Sequence, residues 1–159
     1  YRQVRVGRGN KDFRLFKFRS MRPDSDKLGL ITVGGHDPRV TRSGYYIRKY
    51  KLDEFPQLIN VFVGDMSLVG PRPEVRKYVD LYTPEQLRVL NVRPGITSLA
   101  SIRYRNENEI LAKADDPDKA YVEQIMPDKI AIDLEYVENA SLTNDIKLIF
   151  KTFGEIIRK

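Results

Sequence analysis

Apolar and basic residues alternate over the first 21 positions of the chain, which is the pattern of strands with one basic face. The apolar positions are occupied by Val4, Val6, Leu15 and Phe18 among others, with Arg and Lys between them. Turn-forming residues at 7–10, Gly-Arg-Gly-Asn, interrupt the alternation. We therefore predict a β-hairpin here, followed by a loop over residues 22–42, where Pro, Asp and Gly are frequent.

Most of the remaining chain repeats its apolar residues at helical spacing. Phe55, Leu58, Ile59 and Phe62 form one stripe and predict a helix over about 54–63 that Gly64 ends. Ser43 is the expected cap of an earlier helix. Later helices are predicted at 74–91, with a break where Thr83 caps and Pro84 follows, and at 106–114, 119–138 and 144–158.

Arg93-Pro94-Gly95 has Pro and Gly in the two central positions of a type II turn, and a short strand over 96–104 is predicted to follow it. Taken together, the elements predict a compact, helix-rich α/β fold. It is a single domain over residues 1–159, with a small β-sheet or hairpin and amphipathic helices on its surface.

The last predicted helix is amphipathic and admits two interpretations. Ile146, Phe150 and Phe153 share one face, while Lys147 and Lys151 lie elsewhere. A basic amphipathic helix of this kind suits a membrane surface. Packing of the apolar face against the protein core is the simpler interpretation.

Composition excludes several kinds of site. The 159 residues contain no cysteine, which excludes disulfides and thiolate metal centres, and a single histidine, His36, which disfavours Ser-His relays and multi-histidine metal sites. Residues 1–51 hold 14 Lys and Arg against 4 Asp and Glu, although the whole chain has a net charge of only +6. Such a basic segment predicts a polyanionic partner: phosphates, anionic lipid headgroups or nucleic acid.

No apolar run approaches the roughly 20 residues that span a bilayer. The chain begins at Tyr1 without an initiator Met, so we expect it to be a fragment that a membrane anchor can precede.

Asp53 and Glu54 are two adjacent carboxylates just before a helical stripe. Capping of the helix is the ordinary interpretation of such acids. Neighbours on a regular helix diverge by about 100°, so the pair can share a cleft only at a helix edge or kink. One acid could then serve as nucleophile or metal ligand while the other handles a proton.

Basic residues that could meet a diphosphate occur at three places. Gly70-Pro71-Arg72-Pro73 holds one arginine between two prolines, which lowers the entropy cost of fixing it on a phosphate. Lys17 and Arg19 share one strand face. Arg103 and Arg105 flank Tyr104, a pattern that RNA-binding proteins also use. A rigid connector explains the Pro-Arg-Pro loop equally well, and a solvated strand face is the commoner explanation of Lys17 and Arg19. Asp133 and Asp145 are uninformative when considered one by one.

The ordered set of motifs is far more specific than any one of them. The segments are Lys-Phe-Arg-Ser-Met at 17–21, Asp-Pro-Arg-Val-Thr at 37–41, Leu-Asp-Glu-Phe-Pro-Gln-Leu-Ile-Asn-Val at 52–61, Gly-Asp-Met-Ser-Leu-Val-Gly-Pro-Arg-Pro at 64–73, Arg-Pro-Gly-Ile-Thr at 93–97 and Tyr-Val-Glu-Asn-Ala-Ser-Leu at 136–142. This set resembles the bacterial sugar transferase family, the monotopic polyprenyl-phosphate phosphoglycosyl transferases, over nearly the whole chain.

The resemblance implies a two-step transfer of a phospho-sugar from a UDP-sugar to polyprenyl (undecaprenyl) phosphate with Mg²⁺. It places the nucleophile at Asp53, which would carry the phospho-sugar as an aspartyl ester after release of UMP. Glu54 would assist proton transfer or metal positioning, and both acids are candidate metal ligands. Family positions for phosphate and nucleotide binding match at Lys17, Arg72, Arg105, Asp133 and Asp145, beside Arg19 from the strand pattern.

The resemblance also implies that the protein acts at the cytoplasmic face of the bacterial inner membrane, where it would catalyse the first membrane step of surface glycan assembly. It implies no nucleic-acid partner and leaves a homo-oligomer open. The segment Ser-Leu-Ala-Ser-Ile-Arg-Tyr-Arg at 98–105 departs from the common family pattern, and so does the longer stretch from Asn106 to Asp133. The competing hypothesis is a non-enzymatic basic module that binds nucleic acid or anionic lipid and is indifferent to Asp53.

Overall fold

The computed structural model describes residues 1–25, 29, 31–33 and 37–157. The middle of the predicted 22–42 loop, including His36, and the predicted helix end at 158 lie outside the described residues. Helices dominate the described chain and two sheets of two strands each accompany them, which confirms the predicted helix-rich α/β fold.

The predicted N-terminal hairpin is confirmed. Strands β1 (Arg2–Val6) and β2 (Asp12–Phe16) pair antiparallel, with Arg2 opposite Phe16 and Val6 opposite Asp12. A 3-10 turn over Arg8–Asn10 joins them, and Gly9 there has a φ of 67°, a conformation that glycine adopts without steric cost.

Helix α1 (Arg42–Lys49) begins earlier than Ser43 predicts. Its cap is Thr41, whose side chain accepts the Gly44 N–H at 2.9 Å, because Thr41 is the last residue with an extended backbone. Helix α2 (Gln57–Phe62) lies within the predicted range of 54–63. It starts three residues late because Leu52–Glu54 forms a separate 3-10 turn.

The second sheet is parallel and very short. Strand β3 (Ser67–Val69) pairs with β4 (Gly95–Thr97), with Ser67 opposite Gly95 and Val69 opposite Thr97. The predicted type II turn at Gly95 is wrong, because this glycine lacks the positive φ that the turn requires. A Cβ at Gly95 would lie 2.1 Å from the Gly70 nitrogen, so close backbone contact is what requires glycine here.

The strand predicted over 96–104 ends at Thr97, because the Ser98 hydroxyl accepts the Ser101 N–H at 3.0 Å and starts a helix instead. The predicted helical region over 74–91 is broken into a short helix and a 3-10 turn (Gln86–Asn91), and Thr83 caps the turn as expected. The remaining helices are α3 (Arg76–Val79), α4 (Leu99–Arg103), α5 (Glu107–Leu111), α6 (Pro117–Ala120), α7 (Met126–Glu138), which follows a π turn over Tyr121–Ile125, and α8 (Leu142–Ile157).

The main hydrophobic core lies where α3, α5 and the start of α7 meet. Its buried members are Val75, Tyr78, Leu111, Tyr121, Ile125, Met126 and Ile130. Helix α8 contributes little to it. Leu142, Ile146, Phe150 and Phe153 are all exposed on α8, so the core-packing interpretation of this helix is wrong for its main apolar stripe. Among the described residues, no helix has the length and apolarity needed to cross a bilayer.

Candidate active site

Asp53 and Glu54 lie on the 3-10 turn between α1 and α2, which is the helix edge that two converging neighbours require. Lys51 directs the chain into this turn from the left-handed region, with a φ of 57°. The Asp53 carbonyl accepts the Phe18 N–H at 3.0 Å and ties the turn to the end of the hairpin. Among the described residues, no side-chain hydrogen bond uses the Asp53 carboxylate as a cap for the turn or for α2.

The two acids of this pair have opposite electrostatic settings. Burial and the neighbouring Glu54 raise the pKa of Asp53, although Lys17 and Arg48 oppose the rise. Burial alone would also raise the pKa of Glu54, but Arg72 and Lys17 outweigh it and hold that pKa well below its usual range. Glu54 is therefore a fixed anion, while Asp53 is a buried carboxylate whose charge is only partly compensated.

Arg72 grips Glu54 with both guanidinium nitrogens. Its Nη2 lies 2.5 Å from Glu54 Oε1 and its Nη1 lies 3.4 Å from Oε2. The Pro-Arg-Pro loop that carries Arg72 follows β3 directly, and the Pro71 carbonyl accepts the Gly95 N–H at 2.9 Å. The short parallel sheet thus holds Arg72, the arginine between two prolines, in a fixed position beside Glu54.

Lys17 reaches the same carboxylate from the hairpin, with its Nζ 3.9 Å from Glu54 Oε1. Burial, helped by the charges of Arg72 and Arg5, lowers the pKa of Lys17 to about 8, and Glu54 opposes this shift. Three cations therefore crowd into a space where their mutual repulsion is only partly relieved. An added anion such as a phosphate would relieve it further.

Arg5 belongs to this cluster, and sequence reasoning missed it. Its Nη1 donates to the Pro73 carbonyl at 3.2 Å and to Glu74 Oε1 at 3.1 Å, so it also braces the Pro-Arg-Pro loop. In the sequence, Arg5 is one of several alternating basic residues of a hairpin. Only its partner at position 74 distinguishes it, and that contact spans 69 residues.

An open cleft of about 800 Å³ gathers most of the predicted site residues. Arg19 and Arg105 lie on its walls, where Arg19 packs over the Tyr1 ring at 5.5 Å and Arg105 pairs with Glu155. The other predicted residues in this cleft are Lys17, Asp53, Glu54 and Arg72. The structure thus brings together six of the eight residues from four separate segments of the chain.

The remaining two predicted residues lie apart from the cleft. Asp133 on α7 lines a smaller inner cavity of about 220 Å³ behind Arg72. Burial raises the pKa of Asp133 to about 6, although the Ser98 hydroxyl opposes the rise. Asp145 lines neither space among the described residues, and it accepts a hydrogen bond from the Tyr136 hydroxyl at 2.6 Å, which joins α7 to α8.

A metal ion in this cleft would need the substrate to supply part of its coordination shell. Among the described residues, no three acidic or histidine side chains converge as a complete metal site. Mg²⁺ commonly takes only one or two carboxylates together with substrate phosphates and water. Asp53 fits that demand, because its carboxylate lies in the cleft and lacks a hydrogen bond from the described residues, whereas Arg72 already engages Glu54.

The turn that buries the two acids exposes their neighbours. We call the outward surface formed by Phe55, Leu58, Ile59, Phe62 and Val63 the apolar face. Each of its members is exposed, and Phe62 reaches 92%. Several exposed apolar side chains within one short segment, α2 and its flanking residues, are typical of an interaction site.

Comparison with known proteins gives a consistent result. The model of the bacterial sugar transferase family matches residues 1–159. The UDP-N-acetylgalactosamine-undecaprenyl-phosphate N-acetylgalactosaminephosphotransferase of Aeromonas hydrophila is 42% identical over 98% of the chain and 34% of its own length. An uncharacterized sugar transferase of Bacillus subtilis is 39% identical over 99% of the chain and 69% of its own length.

A third relative is the UDP-glucose:undecaprenyl-phosphate glucose-1-phosphate transferase of Caulobacter vibrioides, which is 35% identical over 99% of the chain and 56% of its own length. The chain therefore spans 34 to 69% of the length of these relatives, and each match covers 98 or 99% of the chain.

Proposed function

Because the chain belongs to the bacterial sugar transferase family, we propose that it forms the catalytic part of a sugar-1-phosphate transferase that moves a phospho-sugar from a UDP-sugar to undecaprenyl phosphate. The names of its relatives supply the two substrate classes. The relatives' different sugars leave the identity of the transferred sugar open.

The observation that carries the proposal is the setting of Asp53. Its carboxylate is buried, caps no helix among the described residues, and opens into the same cleft as Lys17 and Arg72. An ionised carboxylate needs no general base to attack phosphorus. It does need cations to offset its repulsion from a diphosphate, and the cleft supplies them.

The reaction proceeds through two displacements at one phosphorus atom. First, an Asp53 carboxylate oxygen forms a bond to the phosphorus that bears the sugar, and the bond from this phosphorus to the bridging oxygen breaks. UMP leaves with the electron pair. Second, a phosphate oxygen of undecaprenyl phosphate attacks the same phosphorus, and the bond to Asp53 breaks and restores the carboxylate. The product is a lipid-linked diphospho-sugar, and no external oxidant or reductant is involved.

The low pKa of Glu54 supports a positioning role for this residue in preference to proton transfer. A carboxylate locked by Arg72 at 2.5 Å is a weak base, but it aligns the guanidinium and Lys17 beside the attacked phosphate. We propose that Asp53, with Glu54 nearby, would hold Mg²⁺ together with the donor diphosphate. When bound, the ion would neutralise phosphate charge.

An exchange experiment tests the covalent step without the lipid acceptor. The protein, purified in detergent with Mg²⁺ and a UDP-sugar, is given radiolabelled UMP. Return of label into the UDP-sugar requires a phospho-sugar held on the enzyme. We expect exchange with the natural protein and with the surface control Asp80→Asn, and none with Asp53→Asn. Exchange that survives Asp53→Asn would reject Asp53 as the nucleophile.

We further propose that the apolar face docks on an anionic membrane, because the acceptor lipid lies there. Leu52 and Phe55 point outward on either side of the inward-facing acids. The exposed cations Arg42 and Lys49 on neighbouring α1 match anionic headgroups in charge. Docking in this way would bring the cleft to the level of the lipid phosphate.

Vesicle flotation distinguishes docking through the apolar face from nonspecific hydrophobic adsorption to the membrane. We compare Phe62→Glu with Leu81→Glu, because Leu81 is also exposed, at 54%, but follows α3 and lies outside the apolar face. Only Phe62→Glu is expected to reduce binding to vesicles rich in phosphatidylglycerol. Equal losses in both variants would count against docking through this face.

The competing hypothesis of a non-enzymatic module for nucleic acid or anionic lipid rested on the basic residues of 1–51 and on the Arg-Tyr-Arg segment, and it loses the second of these observations. The Arg-Tyr-Arg segment that suggested it does not form a basic, aromatic strip, because the Tyr104 hydroxyl donates to Asp128 at 2.5 Å and Arg105 pairs with Glu155. The family match and the buried acids favour the enzyme instead.

A further inference from the structure

The inner cavity behind Arg72 continues the cleft in which Asp53 lies. Arg5, Lys17, Arg72, Glu107 and Lys129 line both spaces, so one ligand can extend from the cleft into the cavity. The cavity volume of about 220 Å³ is smaller than that of an ordinary ligand pocket. It is therefore sized for one part of a ligand whose remainder lies in the cleft.

The walls of this cavity combine flat aromatic and aliphatic surfaces. The Tyr78 hydroxyl donates to Asp118 and the Tyr121 hydroxyl donates to Glu74, so only the rings of these tyrosines offer apolar surface to the cavity. The rest of the apolar wall comes from Tyr82, Val89, Val92 and Pro94. Such a wall suits a planar ring with polar edges, because aromatic side chains stack on nucleobases.

One polar atom in the cavity has no partner. Asp133 is only 6% exposed. The Ser98 hydroxyl and the backbone N–H groups of Arg72 and Ala100 lower its pKa, but its Oδ1 has no hydrogen-bond partner among the described residues. Buried acceptors are nearly always paired, so this oxygen is available to a donor that the ligand brings. An N–H group at the edge of a base is such a donor.

Reaction geometry decides which part of the donor enters. In an in-line displacement at phosphorus, the leaving oxygen lies opposite the attacking one. Asp53 lines the cleft alone, whereas Lys17 and Arg72 stand between the cleft and the cavity. A diphosphate held by these cations would therefore direct its leaving nucleotide inward, while its sugar stays in the cleft.

We propose, on the basis of the function proposed above, that the inner cavity binds the uridine of the donor and that Asp133 accepts a hydrogen bond from the base. This assigns the nucleotide subsite to the Tyr82–Asp133 side of Arg72. It leaves the outer wall, with Ser101 and Arg105, to meet the sugar.

The three methionines of the chain offer a test on the natural protein. Met126 lines the inner cavity, Met21 lines the cleft, and Met66 is buried and lines neither. With methyl-labelled methionine and saturating UMP, we expect nuclear Overhauser contacts from the uracil H5 and H6 protons to the Met126 methyl group. Contacts to Met21 alone would overturn the placement of the base.

A matched pair of variants on α7 tests the role of Asp133. By titration calorimetry, Asp133→Asn should bind UMP at least tenfold more weakly, while the binding of ribose 5-phosphate, which is UMP without its base, changes less than twofold. Glu138 lies on the same helix as Asp133 and forms a surface ion pair with Arg88. Glu138→Gln should leave both ligand affinities unchanged. An equal loss for UMP and ribose 5-phosphate would show that Asp133 does not act on the base, and two unchanged affinities would show that its carboxylate charge contributes nothing to nucleotide binding; either result overturns the inference.

Failure of this inference and failure of the proposed function are distinguishable. If UMP binds and exchanges but contacts Met21 and ignores Asp133, the transferase function stands and the subsite is elsewhere. If UMP neither binds nor exchanges, the transferase function itself is rejected. The contacts on the natural protein do not depend on whether Asp133→Asn folds.

Discussion

Asp133→Asn should stabilise the ligand-free protein at neutral pH even as it weakens nucleotide binding. Burial raises the pKa of Asp133 to about 6 from an ordinary value of 3.8. A carboxyl whose pKa is higher in the folded state favours folding most when it is protonated. Its contribution is therefore fully present below about pH 4 and is lost as pH rises through about 6. Asparagine has a similar shape and carries no charge to bury.

The size of the effect follows from the two pKa values. A difference of about two pH units corresponds to about 2 to 3 kcal/mol of unfolding free energy. In urea this would separate the midpoints of the two proteins by about 1 M or more at pH 7.5. At pH 4 the carboxyl is protonated in the folded protein, and the two midpoints should nearly coincide.

Urea unfolding at pH 4, 5, 6 and 7.5, followed by far-ultraviolet circular dichroism, measures this difference. The comparison of the natural protein with Asp133→Asn cancels other titrating groups that respond equally in both, including Asp53, whose pKa is also raised. Parallel pH profiles, or an Asp133→Asn protein that is less stable at pH 7.5, would refute the reasoning. Saturating UMP should narrow the gap at pH 7.5, because it stabilises the natural protein more.

Other predictions concern the cations, the backbone and one buried amide. Because the pKa of Lys17 is about 8, this side chain loses its positive charge between pH 7 and 9, and kcat/KM for the UDP-sugar should fall over that range. In Lys17→Arg, kcat/KM should stay flat, and identical pH profiles in the two proteins would contradict this. Gly95→Ala should lose at least about 3 kcal/mol in chemical unfolding, since its Cβ would overlap Gly70, whereas Gly154→Ala, with nothing within 4 Å, should gain about 0.5 to 1 kcal/mol. Asn60→Ala should lose about 2 to 3 kcal/mol and speed hydrogen exchange at the Phe16 amide, which Asn60 Oδ1 binds at 3.0 Å; unchanged exchange would contradict this.

The parts of the fold that rest on local patterns could be predicted from the sequence. The hairpin follows from a period of two interrupted by Gly and Asn, and both residues of that signal act within a few positions of each other. Helix α2 follows equally from its stripe. Gly95 misled the prediction because its role depends on Gly70, which is 25 positions away, and a Pro-Gly pair is the local signature of a turn.

Six of the eight residues that the sequence nominated lie in the cleft, but their arrangement could not be predicted. Nothing near Glu54 in the sequence indicates that Arg72 will lock it, and nothing near Arg5 indicates that it will brace Pro73. These contacts join segments that only the tertiary fold brings together. The opposite pKa shifts of Asp53 and Glu54 follow from them, so the difference between two adjacent acids could not be predicted from their positions.

Helical periodicity also could not reveal what the apolar residues of α2 contact. A stripe that faces a protein core and a stripe that faces lipid have the same spacing, because both require one continuous apolar side of a helix. Exposure separates them: Gln57 and Asn60 on α2 are buried, whereas Phe62 is 92% exposed. This helix buries its polar residues, with Asn60 bound to the hairpin, and exposes its apolar ones, the reverse of a water-facing surface helix.

The exposed apolar side and the buried polar side of α2 relate the proposed membrane surface to the site of the proposed reaction. Asn60 binds the backbone of Arg14 and Phe16, so the helix that carries the apolar face is fixed to the strand that leads to Lys17. The turn before α2 directs Asp53 inward to the cations and Phe55 outward. If a membrane accepts Phe55 and Phe62, as proposed above, it would meet the protein on the side that Phe55 faces, away from the cations to which the turn directs Asp53. The donor nucleotide would leave away from the bilayer while the lipid phosphate arrives from it, which lets one carboxylate serve both displacements in turn.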